Sequence, residues 1–163
     1  FPKNPYSMSK AHGSLLRIAY DNTYPELKNK TTEIRMCNIF GPRQDKRKIF
    51  PAIKESLNGE YSIPIHEGGA GFREYLYVKN VPPMIELVLE KGDRTYNVTL
   101  NDGYTVNQII ELSEKLTGKK CLTHKGERQG MDLKYQMDNS RIISLGWKPL
   151  YSFEQGLHEY LND

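Results

Sequence analysis

The chain has 163 residues, with 23 Lys and Arg against 20 Asp and Glu and a formal charge of +3. Hydrophobic residues make up 37% and aromatic residues 10%, which excludes a disordered tail and suits one domain or about half of a larger one. No apolar run approaches the ~20 residues of a membrane span, and so small a charge does not by itself indicate nucleic-acid or membrane binding.

Helices and strands alternate along the chain. Small and apolar residues, Met8, Ala11, Leu15 and Ala19, recur at helical spacing from Ser7, and the helix is expected to end near residues 24–25, before a proline. The other predicted elements are a strand over 33–39, a helix over 48–57, strands over 63–65 and 72–78, a helix over 81–91, a strand over 95–98, a helix over 106–116, a strand over 122–124, and helices over 139–145 and 153–161. This order predicts an α/β fold.

Cysteine and histidine usage limits the classes of site. Cys37 and Cys121 form no CxxC pair, which favours a reducing cytoplasm as the location. The four histidines show no spacing typical of metal ligands, so no metal site is predicted.

The segment most suggestive of chemistry is YSMSK, residues 6–10. Tyr6 and Lys10 are four residues apart, which places both on one helix face about a turn apart. An ammonium held beside a phenol stabilises the phenolate, so the pair can act as a general base towards an alcohol. Taken alone, such spacing more often marks a packed tyrosine beside a surface lysine.

Further segments stand in register with this pair, and together they carry a resemblance. They are YSMSKA (6–11), RMCNIFGP (35–42), FREYLYV (72–78), ERQGMD (127–132) and LGWKP (145–149). The chain resembles the NAD-dependent nucleotide-sugar epimerases and dehydratases of the extended short-chain dehydrogenase/reductase family. Within that family, residues 41–51 and 63–65 are most similar to the dTDP-glucose 4,6-dehydratases.

The resemblance implies a role for each matched residue. Tyr6 would be the catalytic base, and Lys10 would bind the nicotinamide ribose of NAD and tune Tyr6. The implied nucleotide-sugar ligands are Asn38 on the sugar or its diphosphate, Lys48 and Arg73 on phosphates, Pro64, Ile65 and His66 around the base, and Arg128 on the opposite side.

Three of these ligands have other interpretations without the family, and for Arg128 this is a surface charge. Asn38 is about as well explained as a turn residue before Gly41-Pro42, and Lys48 as part of a solvated basic face over 43–48. Three positions also depart from the family pattern, because Phe40 stands where Tyr is common, Glu74 where Asp is common and Gln129 where Pro is common.

The sequence holds no glycine-rich turn of the kind that cradles a dinucleotide pyrophosphate. The glycines at 68, 69 and 71 indicate a hairpin or loop instead. In the resembled family that turn, a catalytic Ser or Thr and an Asp-Glu acid/base pair all lie upstream of Y-x-x-x-K. We therefore expect the C-terminal part of a Rossmann-type doubly wound sheet with a small α/β substrate-binding lobe, inactive as a fragment.

In this interpretation residues 1–50 end the NAD-binding domain, and residues 51–163 form mainly the substrate lobe, with some return to the core. The implied function is a 4,6-dehydratase acting on a dTDP- or UDP-glucose type of substrate. A 4-epimerase or a UDP-glucuronate decarboxylase of the same family stays open, as does a non-catalytic nucleotide-sugar-binding module.

The implied partner is a second copy of the chain. Family members commonly pair through a helix bundle that includes the Y-x-x-x-K helix, so we expect that helix to expose an apolar stripe and to form a homodimer. No nucleic-acid or membrane partner is expected.

Overall fold

The computed structural model describes residues 2, 4–27, 30–127, 134 and 136–163. Within these ranges the helices are α1 (Pro5–Thr23), α2 (Ile49–Leu57), α3 (Val81–Lys91), α4 (Val106–Thr117), α5 (Ser140–Ser144) and α6 (Phe153–Asn162). The strands are β1 (Glu33–Met36), β2 (Asn38–Phe40), β3 (Ser62–Ile65), β4 (Phe72–Tyr77), β5 (Thr95–Val98), β6 (Gly103–Thr105) and β7 (Leu122–Lys125). Short 3₁₀ turns occupy Pro25–Leu27, Glu67–Gly69 and Val78–Asn80.

The predicted helices are confirmed, and local capping explains where they begin and end. Helix α4 begins in a reciprocal capping box between Thr105 and Gln108 and ends at Gly118, whose φ of +68° suits glycine. Helix α6 begins in the same way, with Ser152 and Gln155. No helix in the described ranges is both long and apolar enough to cross a membrane.

The strand predicted over 33–39 serves two different sheets. Strand β1 pairs in parallel with β5, and β2 pairs in parallel with β4. The change occurs at Cys37, whose backbone N–H donates to Val98 O at 3.0 Å at the end of β5. The prediction of a single continuous strand was therefore wrong, because its two halves pair with different strands.

Pairing between residues far apart in the sequence also determines the sheet to which each of the other strands belongs. Strand β3 pairs in parallel with β7, whereas β4 lies between β2 and an antiparallel β6. The glycines at 68–71 thus lie in a loop between strands of different sheets, and the hairpin alternative is wrong. Strand β6 was not predicted, since three residues beginning with glycine carry no clear alternation.

Two hydrophobic clusters form the core, and β4 contributes to both. Tyr75 and Tyr77 point into the first cluster, in which Phe40 stacks on Phe50 with ring centroids 4.2 Å apart. Leu76, between them, points into the second, which contains Trp147. Alternation along one strand therefore makes β4 the shared wall of the two clusters. The domain boundary at residue 50 stays a prediction.

Helix α1 exposes an apolar stripe, as the sequence predicted. Met8 and Leu15, predicted to lie on its apolar face, are 54% and 60% exposed. The partly buried positions of the helix are instead Ser7, Ala11, Ser14, Arg17 and Asp21. None of its residues is fully buried, so the apolar stripe is open, and the contact face is polar apart from Ala11.

Candidate active site

Tyr6 and Lys10 lie in the first turns of α1. The Asn4 side chain caps the helix by accepting from Ser7 N at 2.9 Å, and Pro5 occupies its first turn. The Lys10 ammonium lies 5.5 Å from the centroid of the Tyr6 ring. Tyr6 is 71% exposed and Lys10 is exposed. The phenol and the ammonium thus share an open face, as their spacing predicted.

Asn38 and Arg73 lie on neighbouring strands. Asn38 begins β2 opposite Tyr75 of β4, and its Nδ2 donates to Glu74 O at 3.2 Å. Arg73 precedes that glutamate and donates from Nη1 to Phe72 O at 2.7 Å. Because Asn38 is part of a strand, the alternative of a turn residue is wrong. The β2–β4 pairing brings an amide and a guanidinium to one sheet.

Lys48 lies at the amino end of α2. Its backbone N–H donates to Asp45 O at 2.9 Å, and its exposed side chain does not cap the helix. Hydrogen bonds from Arg47 hold the pKa of Asp45 well below its usual range. Gln44 donates to Ile39 O at 2.9 Å and so fastens this loop to β2. Lys48 therefore adds positive charge where the α2 dipole is also positive.

Pro64, Ile65 and His66 form the carboxyl end of β3 and the residue after it. Ile65 O accepts from Gly126 N at 2.9 Å. A Cβ at Gly126 would lie 2.8 Å from His66 Nδ1, so glycine lets the chain pass close to the imidazole. That nitrogen is buried and has no hydrogen-bond partner among the described residues. Arg128, two residues further on, lies outside them.

Sequence reasoning missed a buried glutamate next to Arg73, Glu74, and a half-buried aspartate near it, Asp102. Glu74 is fully buried, and its Oε2 accepts from Met137 N at 3.0 Å. Burial raises the pKa of Asp102, and the charge of Glu74 raises it further. Burial also raises the pKa of the Cys37 thiol to about 12. The sequence signal that could have drawn attention to Glu74 was its departure from the Asp that is common at this position in the family.

Neither a metal-ligand group nor the main depression of the described chain adds to this site. No group of three or more His, Cys, Asp or Glu side chains in these ranges could hold a metal ion. An open depression of about 690 Å³ lies between α4 and α6, lined by residues such as Leu116, His158 and Glu159. None of the residues predicted for the site lines it.

Curated relatives agree with the resemblance. The Agl12 low-salt glycan biosynthesis protein of Haloferax volcanii is 35% identical over 177 residues, covering 99% of this chain and 54% of that protein. The dTDP-glucose 4,6-dehydratase of Salmonella typhimurium is 31% identical over 172 residues, covering 97% and 46%. The chain thus spans about half the length of the curated relatives it matches.

Solved structures show the same fold. The dTDP-glucose 4,6-dehydratase of Bacillus anthracis, solved with NAD, superposes with a TM-score of 0.90 at 29% identity, covering 99% of this chain and 52% of that one. The UDP-glucose 4-epimerase of Thermotoga maritima, solved with UDP-glucose, gives a TM-score of 0.86 at 29% identity, covering 99% and 53%.

The family model for GDP-mannose 4,6 dehydratase matches residues 1–160. Together with the α/β architecture and its parallel strand pairs, this match confirms the predicted fold class. The chain belongs to the GDP-mannose 4,6-dehydratase family, within the Rossmann-fold NAD-dependent nucleotide-sugar epimerases and dehydratases.

Proposed function

We propose that this chain supplies the base and much of the substrate site of an NAD-dependent nucleotide-sugar 4,6-dehydratase. The observation that carries the proposal is the Tyr6–Lys10 pair, which α1 presents on an open face with the ammonium 5.5 Å from the ring centroid. Because the chain spans about half of its relatives, the activity is proposed for the full-length protein.

The chemistry of this pair fits the ribose end of NAD. An ammonium offers three donors and a phenol one donor and acceptor, which together suit vicinal hydroxyl groups. Both groups are exposed and a helical turn apart, so a sugar ring can reach them from one side. When bound, NAD supplies the hydride acceptor for oxidation at C4 of the sugar and the donor for the later reduction at C6.

Tyr6 acts on the proton in this scheme. Its phenolate oxygen takes the proton of the 4-hydroxyl as the alcohol becomes a ketone, and the positive charge of Lys10 stabilises that phenolate. The ketone makes the C5 hydrogen acidic, so that water can leave across C5 and C6.

The phosphates of the substrate are assigned to cations on separate elements. Lys48 at the amino end of α2 and Arg73 on β4 would pair with the diphosphate, and Arg offers a two-pronged fork to phosphate oxygens. Asn38 on β2 and the 64–66 segment after β3 would contact the sugar or the nucleoside. Arg128 is the last of the proposed nucleotide-sugar ligands, and its assignment rests on the family resemblance alone.

Tyr6→Phe in the full-length protein tests the proposal. The change removes one exposed hydroxyl and should leave folding unaltered, whereas turnover should fall by about 10²–10⁴-fold, as for a lost acid/base group. Tyr20→Phe is the matched control, because Tyr20 is also exposed on α1, and its turnover should stay at the parental level. Unchanged turnover in Tyr6→Phe would remove Tyr6 from the mechanism.

A 4-epimerase is the second candidate, and the match to the T. maritima UDP-glucose 4-epimerase favours it. The mass of the product separates the alternatives. A dehydratase product lacks one water, a decarboxylase product lacks carbon dioxide, and an epimerase product keeps the mass of its substrate. Binding of a nucleotide sugar without any turnover would favour the non-catalytic module.

We also propose that the full-length protein is a homodimer that pairs through α1. The exposed side chains of Leu15, Leu16 and Ile18 support this, since such a run of apolar surface favours burial against another chain. Sedimentation of the full-length protein should give a dimer, and Leu15→Glu should shift it towards monomer. A monomeric parent protein would contradict the proposal.

A further inference from the structure

A polar face joins α1 to the sheet. The partly buried residues in its second half are Ser14, Arg17 and Asp21, and none of the helix is fully buried. Arg17 Nη1 lies 2.5 Å from Asp21 Oδ2, and Asp21 Oδ1 accepts from Thr31 Oγ1 at 2.8 Å just before β1. Hydrogen bonds of this kind require particular distances and angles, so they constrain the rotation of the helix.

One carboxylate, that of Glu33 on β1, is the common partner in this contact. Its Oε1 accepts from Ser14 Oγ and from Arg35 Nε, the latter at 2.8 Å. Its Oε2 lies 3.5 Å from Arg17 Nε and 3.5 Å from Thr95 Oγ1 on β5. A single side chain therefore joins α1, β1 and β5.

Glu33 is well suited to this position as an anion. Burial opposes its ionisation, but hydrogen bonds from Arg35 and Ser14 and the charges of Arg35 and Arg17 outweigh burial and lower the pKa of Glu33. Hydrogen bonds to a charged group are stronger than those between neutral groups. The contact is thus present as a charged network near neutral pH.

The position of this network along α1 connects it to the proposed base. Tyr6, Lys10 and Ser14 follow one another at four-residue intervals. With a rise of ~1.5 Å per residue, Ser14 lies about 6 Å beyond Lys10 and about 12 Å beyond Tyr6 along the axis. A rotation or slide of the helix at Ser14 would therefore displace both side chains together.

We propose that Glu33 is a positioning residue for the Tyr6–Lys10 pair, an inference that rests on the proposed role of Tyr6 as base. Glu33 holds α1 at one rotation and one height over β1 and β5, and thereby sets where the phenol oxygen meets the sugar hydroxyl. It touches neither substrate nor cofactor and acts through the helix.

Glu33→Ala in the full-length protein tests this role. We expect kcat to fall by about 10- to 100-fold, because a misplacement of ~1 Å can cost about 10²-fold in rate. KM for the nucleotide sugar should change by less than about threefold, since the proposed phosphate ligands lie on α2 and β4. Glu86→Ala, at an exposed position of α3, is the control and should leave both constants unchanged.

A carboxylate placed on α1 instead of β1 should rescue the activity lost in Glu33→Ala. Arg35 Nη2 donates to Ser14 Oγ at 3.2 Å, so a glutamate at position 14 can reach the same guanidinium. The double variant Ser14→Glu/Glu33→Ala should therefore recover most of kcat. Glu33→Gln keeps the size of the side chain and allows the same comparison if circular dichroism shows that Glu33→Ala does not fold.

A double-mutant cycle with Tyr6→Phe separates this inference from the proposed function. If Glu33 acts through Tyr6, Glu33→Ala should cost less than about twofold in the Tyr6→Phe background. Full turnover in Glu33→Ala, a failed rescue, or an equal loss in both backgrounds would overturn the positioning role alone. Full turnover in Tyr6→Phe itself would overturn both proposals.

Discussion

The buried carboxylate of Glu74 accepts a hydrogen bond from the backbone N–H of Met137 at 3.0 Å. This bond attaches β4, at the residue after Arg73, to the segment that precedes α5. Asp138, next in that segment, accepts from Ser140 N at 3.0 Å near the start of α5. One side chain thus links a strand of the candidate site to the last third of the chain.

Replacement of Glu74 should show how much this link contributes. Glu74→Ala leaves the Met137 N–H without its acceptor and opens a cavity, so we expect a loss of about 2–4 kcal/mol in the free energy of unfolding. Glu74→Gln retains an acceptor and should lose less. Urea unfolding of the full-length variants measures both, and equal losses would show that the hydrogen bond contributes little.

Asn80 should be among the most sensitive polar positions. Its Oδ1 accepts from the backbone N–H groups of Leu150 and Tyr151, at 2.8 and 2.9 Å, and its Nδ2 donates to Tyr151 O at 2.9 Å. Because Asn80 is fully buried, Asn80→Ala should cost about 2–4 kcal/mol in thermal or urea unfolding. Asn58→Ala, at an exposed asparagine, should stay within about 0.5 kcal/mol of the parent.

Two helical glycines should respond in opposite ways to alanine. A Cβ at Gly156 would lie 2.6 Å from Tyr77 Cβ, so α6 or β4 must shift and Gly156→Ala should be destabilising. A Cβ at Gly13 meets nothing within 4 Å, so Gly13→Ala should stabilise α1 by up to about 1 kcal/mol. Melting temperatures test the pair, and a gain in stability for Gly156→Ala would contradict the close packing of α6 on β4.

The two cysteines should differ in reactivity. Burial raises the pKa of Cys37 to about 12, far above the ~8.5 of a free thiol. Iodoacetamide at pH 8 should therefore label the half-buried Cys121 first and Cys37 only after unfolding. Peptide mass spectrometry with and without urea measures this order, and early labelling of Cys37 in the folded protein would contradict its burial.

The raised pKa of Cys37 should also make the stability of the folded protein depend on pH. The unfolded chain releases the Cys37 proton near pH ~8.5, whereas the folded chain retains it up to about pH 12. The folded state should therefore lose stability as the pH rises through this window. In Cys37→Ser that alkaline loss should be smaller, and an unchanged alkaline limb would show that other groups cause it.

The sequence by itself determined the local features of this protein. A helix period of 3.6 residues is enough to bring Tyr6 and Lys10 to one face, and the side chains of Thr105 and Ser152 bond to backbone within their own helical turns. These relationships involve neighbours in the chain. They could therefore be inferred from spacing and residue type without knowing what surrounds them.

Only the tertiary structure decided relationships between distant residues. The change of sheet at Cys37 depends on Val98, and the fully buried state of Glu74 depends on Met137 and its surroundings. The contact face of α1 depends on Glu33, because Ser14 and Arg17 reach its carboxylate from a different element of the fold. Strand pairing and burial depend on which elements meet in space, so local strand propensity alone does not decide them.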